Sequence, residues 1–228
     1  MTTAQRLCGW GLGAAGLLLT ACDDGPEVRF AQPFPAQAAD MASFPPRHRG
    51  VYTAADSGKS LCIGRTAVWR QELQRVMGSR RQADSALHYH LHTDTTYEQD
   101  GHLHYVHLMG RDSVRDSWLW IDTIFSLVGA EAGKLRRFQG RYYLNNPTDA
   151  NDKWRVERLE IDGTRLNWQT LGADTLRLLV LNRGTVRYRR ENGALTSIRL
   201  APATAAQARQ LGRSAGLWET QETYQRRH

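Results

Sequence analysis

The stretch from Tyr97 to Leu108, YEQDGHLHYVHL, places an Asp-Gly pair between two runs of strand-forming residues. Asp-Gly and Asn-Gly favour the positive φ values that a two-residue hairpin turn requires. Asp100-Gly101 therefore predicts a β-hairpin, and Asp162-Gly163 and Asn192-Gly193 predict two more hairpins further along the chain. Hairpins that recur in this way indicate an antiparallel β fold.

Segments rich in β-branched and aromatic residues lie around these turns. We expect strands at 49–54, 60–69, 86–98, 102–110, 114–126, 135–145, 153–161, 165–171, 175–181, 185–191 and 195–200. The segment 71–77 fits a helical stripe as well as a strand. A helix is predicted over 203–212, because ATAAQARQLG follows Pro202 and stops at Gly212. The alternating LWETQETYQR after it predicts a final strand.

The predicted fold class is mainly β: an antiparallel meander that forms a closed or partly closed barrel or a sandwich, with one C-terminal helix followed by a final strand. The 228 residues are 41% hydrophobic, which suits a single domain with a substantial core. We place that domain at 47–228 and expect a monomer. Residues 22–46 include five prolines with several alanines and glutamines, which predicts a flexible tether.

The N-terminus has the pattern of an export signal. MTTAQR precedes a 15-residue apolar run, LCGWGLGAAGLLLTA, which is too short for a transmembrane helix and predicts a signal peptide over 1–21. The run and the next residue give Leu19-Thr20-Ala21-Cys22, which resembles the lipobox of bacterial lipoproteins. That resemblance implies cleavage before Cys22, acylation of this cysteine, and a membrane anchor of more than one acyl chain.

The body resembles small uncharacterised lipoproteins of the Bacteroidota. The similar pieces are FPPRHRGVY, DTIFSL, RRFQGRYYLNN with WRVERLEI, and RLAPATAAQARQL, and GVY is also similar to the N-terminal motif of lipocalin-like barrels. The resemblance implies a β fold and a place in the cell envelope, and no activity. Acidic residues after the lipidated cysteine, here Asp23-Asp24, resemble a signal for inner-membrane retention in enteric bacteria and for surface export in Bacteroidota. Given the resemblance of the body, we expect the outer membrane.

The cysteines and the net charge further restrict the classes of protein to which the chain can belong. Cys8 belongs to the signal and Cys22 to the lipobox, so Cys62 is left without a disulfide partner, and its apolar neighbours in LCIG predict a buried structural thiol. The net charge of +7 is interleaved with acidic residues, as in DKWRVERLEIDGTR. Since no basic block with interleaved aromatic residues occurs, we do not expect a nucleic-acid partner.

Six histidines lie close together at His88, His90, His92, His102, His104 and His107. If Asp100-Gly101 is a two-residue turn, Gln99 pairs with His102 and Asp94 lies opposite His107. One face then has His88, His90, His92, Asp94 and His107, and the other has Tyr89, Leu91, Val106 and Leu108.

Two histidines of one strand and a third from its neighbour can converge on zinc or copper, so this face is a candidate metal site. A three-residue turn would bring His102 and His104 to the cluster instead. The alternative is a solvated strand face on which histidine is simply a polar residue.

Three further features of the sequence bear on ligand binding or catalysis. Trp118 and Trp120 are two positions apart, so they share a strand face, either in the core or as a stacking platform for a sugar or an apolar ligand. Asp112, Asp116 and Asp122 are candidates for a pair of catalytic carboxylates. The segment DSGKS, 56–60, is similar to the end of a phosphate-binding loop. Such a loop requires glycine five positions before Gly58, where this chain has Thr53, so we do not expect a phosphate-binding loop. The predicted function is a lipid-anchored, non-catalytic binding or structural module; the alternatives are a metal-binding lipoprotein and an enzyme acting on an envelope or carbohydrate substrate.

Overall fold

Most of the chain forms one large β-sheet. The computed structural model describes residues 26–87, 90–148, 153–174, 178, 186–202, 204–214 and 216–227. The strands are β1 (Glu27–Phe30), β2 (Asp40–Met41), β3 (Gly50–Ala54), β4 (Ser60–Ile63), β5 (Ala67–Ser79), β6 (Thr95–Gln99), β7 (His102–Leu108), β8 (Ser113–Ser126), β9 (Lys134–Phe138), β10 (Arg141–Pro147), β11 (Trp154–Asp162), β12 (Arg165–Leu171), β13 (Val186–Glu191), β14 (Ala194–Leu200) and β15 (Trp218–Arg226). The helices among these residues are a 3₁₀ turn at Pro46–His48, α1 (Arg80–Leu87) and α2 (Ala205–Arg213).

The strand order is β13-β14-β1-β11-β12-β15-β3-β4-β5-β8-β7-β6, with β10 also beside β11, β9 beside β10 and β2 beside β9. The pairs are antiparallel except β1–β14, which is parallel. The sheet curls, because side chains from strands far apart in this order meet in one core, but the order does not close into a ring. The predicted mainly-β fold is confirmed, and of its alternatives the closed barrel is wrong.

Two apolar clusters lie on opposite sides of β10 and β11. The first fills the inside of the curl, where Leu61, Phe125, Leu144, Leu159 and Tyr224 are buried together. The second packs α2 and β14 against the other side, and includes Phe34, Tyr143, Ile198, Leu211 and Trp218. Cys62 is buried and unpaired, and burial raises the pKa of its thiol, as expected of a structural cysteine.

The hairpin predicted from Asp100-Gly101 is confirmed. Both residues have positive φ (51° and 75°), and Gln99 pairs with His102 as expected. A hairpin that was not predicted lies at Gln139-Gly140, where φ is 51° and 81° and Phe138 pairs with Arg141. The predicted strand 135–145 is therefore wrong as one strand, because these two residues fold it into β9 and β10.

Two more strand predictions need correction. The expected strand 86–98 is wrong over its first half, because α1 occupies 80–87 and β6 begins only at Thr95. The expected strand 60–69 is interrupted by a tight turn between β4 and β5, where the Gly64 amide donates to the Ala67 carbonyl. The ambiguous segment 71–77 is a strand within β5. The predicted strand 175–181 lies almost entirely outside the described residues.

The two C-terminal elements are confirmed. Helix α2 begins with a reciprocal capping box, in which Thr204 and Gln207 each accept from the other's backbone amide. The indole of Trp218, the first residue of β15, donates to the Leu211 carbonyl and fixes the helix against the final strand.

The predicted tether over 22–46 is wrong for its described residues, 26–46. β1 pairs with β14 and β11, and Phe30, Phe34 and Phe44 are each at most 1% exposed. The Asn145 side chain accepts from the Phe34 amide (2.6 Å) and donates to the Phe34 carbonyl (3.1 Å). Burial of these three phenylalanines stabilises an ordered segment, although its prolines favour an extended local conformation.

We expect Asn145→Leu to lower the free energy of unfolding by about 3 kcal/mol, because it leaves the buried Phe34 amide and the carbonyls of Phe34 and Lys134 without their partner. Urea denaturation measures the change. Gln221→Leu is the matched control, since Gln221 is an exposed amide with one side-chain contact, to Thr170. Equal stability of the two variants would contradict this role for Asn145.

Candidate functional site

The outer halves of β5 and β8 extend away from the main core. Together with α1, β6 and β7 they form a projecting unit that we call the wing. Its own core consists of Leu91, Val106 and Val114, against which Ala83 and Leu87 of α1 pack. The polar and aromatic residues of interest lie on the side of the wing that α1 covers.

Three rings stack across three strands of the wing. Tyr97 of β6 is paired with His104 of β7, which is paired with Trp118 of β8. Successive ring centroids are 4.6 Å apart, with interplanar angles of 27° and 25°. His104 lies in the middle of the stack and is only 7% exposed. The strand register thus holds a buried imidazole between two larger aromatic rings.

One carboxylate joins two of these rings. Asp116 Oδ2 accepts from the Tyr97 hydroxyl at 2.7 Å and lies 2.9 Å from His104 Nδ1. Asp116 Oδ1 is buried and has no hydrogen-bond partner. Burial, together with the bond to Asp116 and its negative charge, raises the pKa of Tyr97 from 10.0 to about 12. The Tyr97 phenol is therefore neutral and a donor at physiological pH.

A cavity of about 500 Å³ lies between α1 and the sheet. Its apolar wall includes Val76, Ala83, Leu87 and Val106, while Tyr97, Gln99 and Asp116 contribute polar side chains. Such a volume is typical of small-ligand pockets, which range from about 300 to 1,000 Å³. No lysine or arginine is present among the described residues that line it.

The histidines of the predicted metal site are divided between two aspartates. His107 Nδ1 lies 2.9 Å from Asp94 Oδ2, which confirms that these residues face each other. His90 Nδ1 instead lies 3.0 Å from Asp84 Oδ2 of α1. The hydrogen bond from the Leu108 backbone amide, and then the one with His107, lowers the pKa of Asp94. The hydrogen bond from the Leu91 backbone amide, and then the one with His90, lowers the pKa of Asp84. Each aspartate therefore holds its own histidine.

The predicted strand 86–98, which would have aligned His90 and His92 with His88, is not formed over residues 90–94. His90 and His92 lie in the exposed connection after α1, and His88 lies outside the described residues. Among the residues that the structure describes, no three His, Cys, Asp or Glu side chains are grouped to hold a metal ion. A zinc or copper site that includes His88 stays a prediction.

The two tryptophans share a face of β8, as predicted, but have different surroundings. Trp118 ends the ring stack, whereas Trp120 lies beside Arg70, whose guanidinium carbon is 5.9 Å from the Trp120 ring centroid and 5.0 Å from that of Trp168. Both tryptophans are partly buried. Neither lines the cavity, so a stacking platform on Trp118 and Trp120 stays a prediction.

Glycoside cleavage by the pair Asp116 and Asp122 conflicts with their placement. Asp116 and Asp122 are six positions apart on β8, which corresponds to about 20 Å, whereas glycoside cleavage requires carboxylates about 5–10 Å apart. Asp122 is moreover paired with Arg70 at 2.6 Å. Asp116 acts instead as the acceptor for Tyr97.

The sequence reasoning did not assign Tyr97 to a site, and it assigned His104 only to the metal cluster of the alternative three-residue turn. The same two-residue turn that places Asp94 opposite His107 also places Tyr97 opposite His104, so the hairpin register was the available signal. The buried partner Asp116 comes from β8, across a connection whose register no local motif fixes.

No family model, no curated protein and no solved structure matches the chain. Among the described helices, none is both long and apolar enough to span a membrane.

Tyr97 gives a testable pH dependence. A phenol with a raised pKa in the folded state stabilises the protein fully below its ordinary pKa of 10.0, and this stabilisation is lost as the pH rises through about 12. We expect the free energy of unfolding to fall less steeply above pH 10 in Tyr97→Phe than in the unmodified chain, measured by denaturant titration at several pH values. The control is Tyr105→Phe, on the exposed face of β7. Parallel curves for the unmodified chain and Tyr97→Phe would refute the coupling to Asp116.

Proposed function

We propose that the chain is a lipid-anchored, exported protein of the cell envelope that binds a small amphipathic ligand in the wing cavity without transforming it. The observation that supports ligand binding is the cavity of about 500 Å³ between α1 and the sheet, with apolar walls and polar groups contributed by a few residues. The support for anchorage is the lipobox-like Leu19-Thr20-Ala21-Cys22. We place the protein at the outer membrane, on the Asp23-Asp24 signal and the resemblance of the body.

The wall of the cavity favours one charge class of ligand. Asp116 contributes a carboxylate and Gln99 an amide, whereas the described wall includes no lysine or arginine. An anionic ligand would lie beside the Asp116 carboxylate with no lysine or arginine in the described wall to compensate the charge, which is unfavourable at low dielectric. The proposed ligand therefore has an apolar body and a hydrogen-bond donor, an amine above all, at its polar end.

The body begins close to the proposed anchor. Four residues, 23–26, separate Cys22 from β1, which starts at Glu27. A chain of this length spans at most about 17 Å between Cys22 and Glu27. The protein that we propose is thus held near the membrane surface, in contrast to a domain on a long tether.

Anchorage is tested through Cys22. We expect cells that express the full chain to incorporate labelled fatty acid into it, and Cys22→Ala to abolish the label and either release the protein or leave it unprocessed. Cys62→Ala is the matched control, because Cys62 is buried in the core. A Cys22→Ala chain that is still labelled would contradict lipidation at this residue.

Ligand binding is tested with three probes of similar size and different charge: phenethylamine, 2-phenylethanol and phenylacetate. We expect affinity to fall in that order by calorimetric titration, because the described residues of the wall include the Asp116 carboxylate and neither lysine nor arginine. Ala83→Trp fills the cavity and should weaken phenethylamine binding at least about tenfold, since a blocked pocket loses apolar contact with its ligand.

Ser85→Trp adds the same ring to α1 at an exposed position that does not line the cavity, and it should leave binding unchanged. Tighter binding of phenylacetate than of phenethylamine, or equal affinity of the two tryptophan variants, would contradict the proposed site.

A further inference from the structure

One face of the wing is apolar and exposed. The side of its sheet opposite α1 presents six large apolar residues from three neighbouring strands, each between 42% and 60% exposed. We call this set the outer wing face; it consists of Leu73 and Met77 of β5, Leu103 and Tyr105 of β7, and Leu119 and Ile121 of β8. Residues that alternate with them, such as Val106 and Val114, are buried on the side that α1 covers. The wing therefore leaves one of its two sheet faces open to water.

The strand register gathers these side chains into a continuous patch. Leu119 is paired with Leu73 of β5, and the register of β7 with β8 places Leu103 on its other side. Directly opposed residues of neighbouring strands have Cβ atoms about 5 Å apart, so the three leucines form a row across the face. Tyr105 and Ile121 lie on either side of this row. The patch is thus centred on Leu119.

The area of this patch matches the apolar part of a dimer interface. Side chains of this size that are half exposed leave about 100 Å² each in contact with water, which gives the face roughly 600 Å². Few monomers expose a larger contiguous apolar patch, and such patches are often functional. Each half of a standard interface buries about 800 Å², and about 65% of a homodimer interface, or roughly 520 Å² of that half, is apolar. The outer wing face alone supplies that amount.

Opposite charges lie at the two sides of the patch. Glu98 of β6 is paired with Leu103, and Arg75 of β5 is paired with Ser117. Glu98 and Arg75 are exposed, and neither forms an ion pair within the described part of the chain. The four strands lie in the order β5-β8-β7-β6, so a two-fold axis that runs along the strands between β8 and β7 exchanges β5 with β6. Under that symmetry, each Glu98 lies beside the Arg75 of a second copy, and each Leu103 lies over the second copy's Leu119.

We propose that the outer wing face binds the same face of a second copy, so that the chain forms a two-fold symmetric homodimer in place of the monomer expected from the sequence. A patch that is self-complementary in both shape and charge is what an isologous interface requires. An apolar face that lies in a lipid surface typically has a basic rim, whereas Glu98 and Asp94 place exposed carboxylates at this rim. The second copy is therefore the favoured occupant.

The dimer leaves the wing cavity accessible, because α1 and the cavity are on the other side of the sheet. The inference goes beyond the proposed function and depends neither on the lipid anchor nor on the ligand.

Sedimentation equilibrium of the chain from residue 23, which includes every element of the described fold, tests the proposal. We expect a monomer–dimer equilibrium with a dissociation constant of about 1 μM or tighter, as interfaces of this size have. Leu119→Arg buries an unpaired charge at the centre of the interface and should raise that constant at least about tenfold. Val128→Arg is the matched control, because it adds the same charge at an exposed apolar residue outside the wing, and it should dimerise like the unmodified chain.

The flanking charges test the symmetry of the dimer. Glu98→Arg alone sets a like charge beside the second copy's Arg75 and should weaken dimerisation about fivefold, as should Arg75→Glu alone. The variant with both substitutions restores opposite charges and should dimerise like the unmodified chain. Because both residues are exposed, this rescue separates lost association from lost folding.

A chain that stays monomeric at about 100 times the expected dissociation constant, equal association of the Leu119→Arg and Val128→Arg variants, or a double charge variant without restored association would overturn the proposal. So would binding of a monomeric chain to phosphatidylcholine vesicles that Leu119→Arg abolishes, because the occupant of the face would then be a lipid surface.

Discussion

The pairing of β5 with β8 is the constraint on which the rest of the structure depends. Ala67–Ser79 runs beside Ser113–Ser126 as one antiparallel ladder. Its inner end places Val68 and Phe125 in the main core, and its outer end supports the wing. Among the described residues, the wing's own cluster has three buried apolar residues, and a unit this small would be marginal alone. The backbone ladder therefore gives the cavity a rigid floor, and α1 and β6 complete it. Within that frame Asp116 holds Tyr97 and His104 at once, so the side chains at the polar end of the cavity are fixed before any ligand enters.

The hairpin register was predictable because it depends on local chemistry. Asp100-Gly101 fixes a two-residue turn, and the period of two along a strand then determines that Asp94 meets His107. Helix α1 also had a local signal that was missed: Ser79 and Gln82 form a reciprocal capping box, which the sequence SRRQ encodes. The Gln139-Gly140 turn was not predicted because glutamine rarely adopts positive φ, so the sequence of 135–145 was interpreted as one continuous strand.

The remaining errors come from contacts between distant residues. The proline-rich segment 26–46 has the composition of a linker, and its order depends on Asn145, more than 100 residues away, and on burial of Phe34 beside Tyr143 and Trp218. The alignment of His90 with His107 failed for the same kind of reason, since Asp84 on α1 competes successfully for His90. Sequence periodicity can show which face a residue occupies within its element, but it cannot show which element will cover that face.

The positive charge illustrates the same limit. Along the chain the arginines alternate with acidic residues, yet the pairing of β14 with β13 and β1 places Arg187, Arg199 and Arg29 side by side. β13 and β6 are the two ends of the hydrogen-bonded strand order. Under the proposed anchorage, β1 follows Cys22 closely and lies near the first of these ends, whereas the strands of the wing cavity lie towards the other. The proposed anchor and the proposed cavity therefore use separate strands, so substitutions in one can be tested without changing the other.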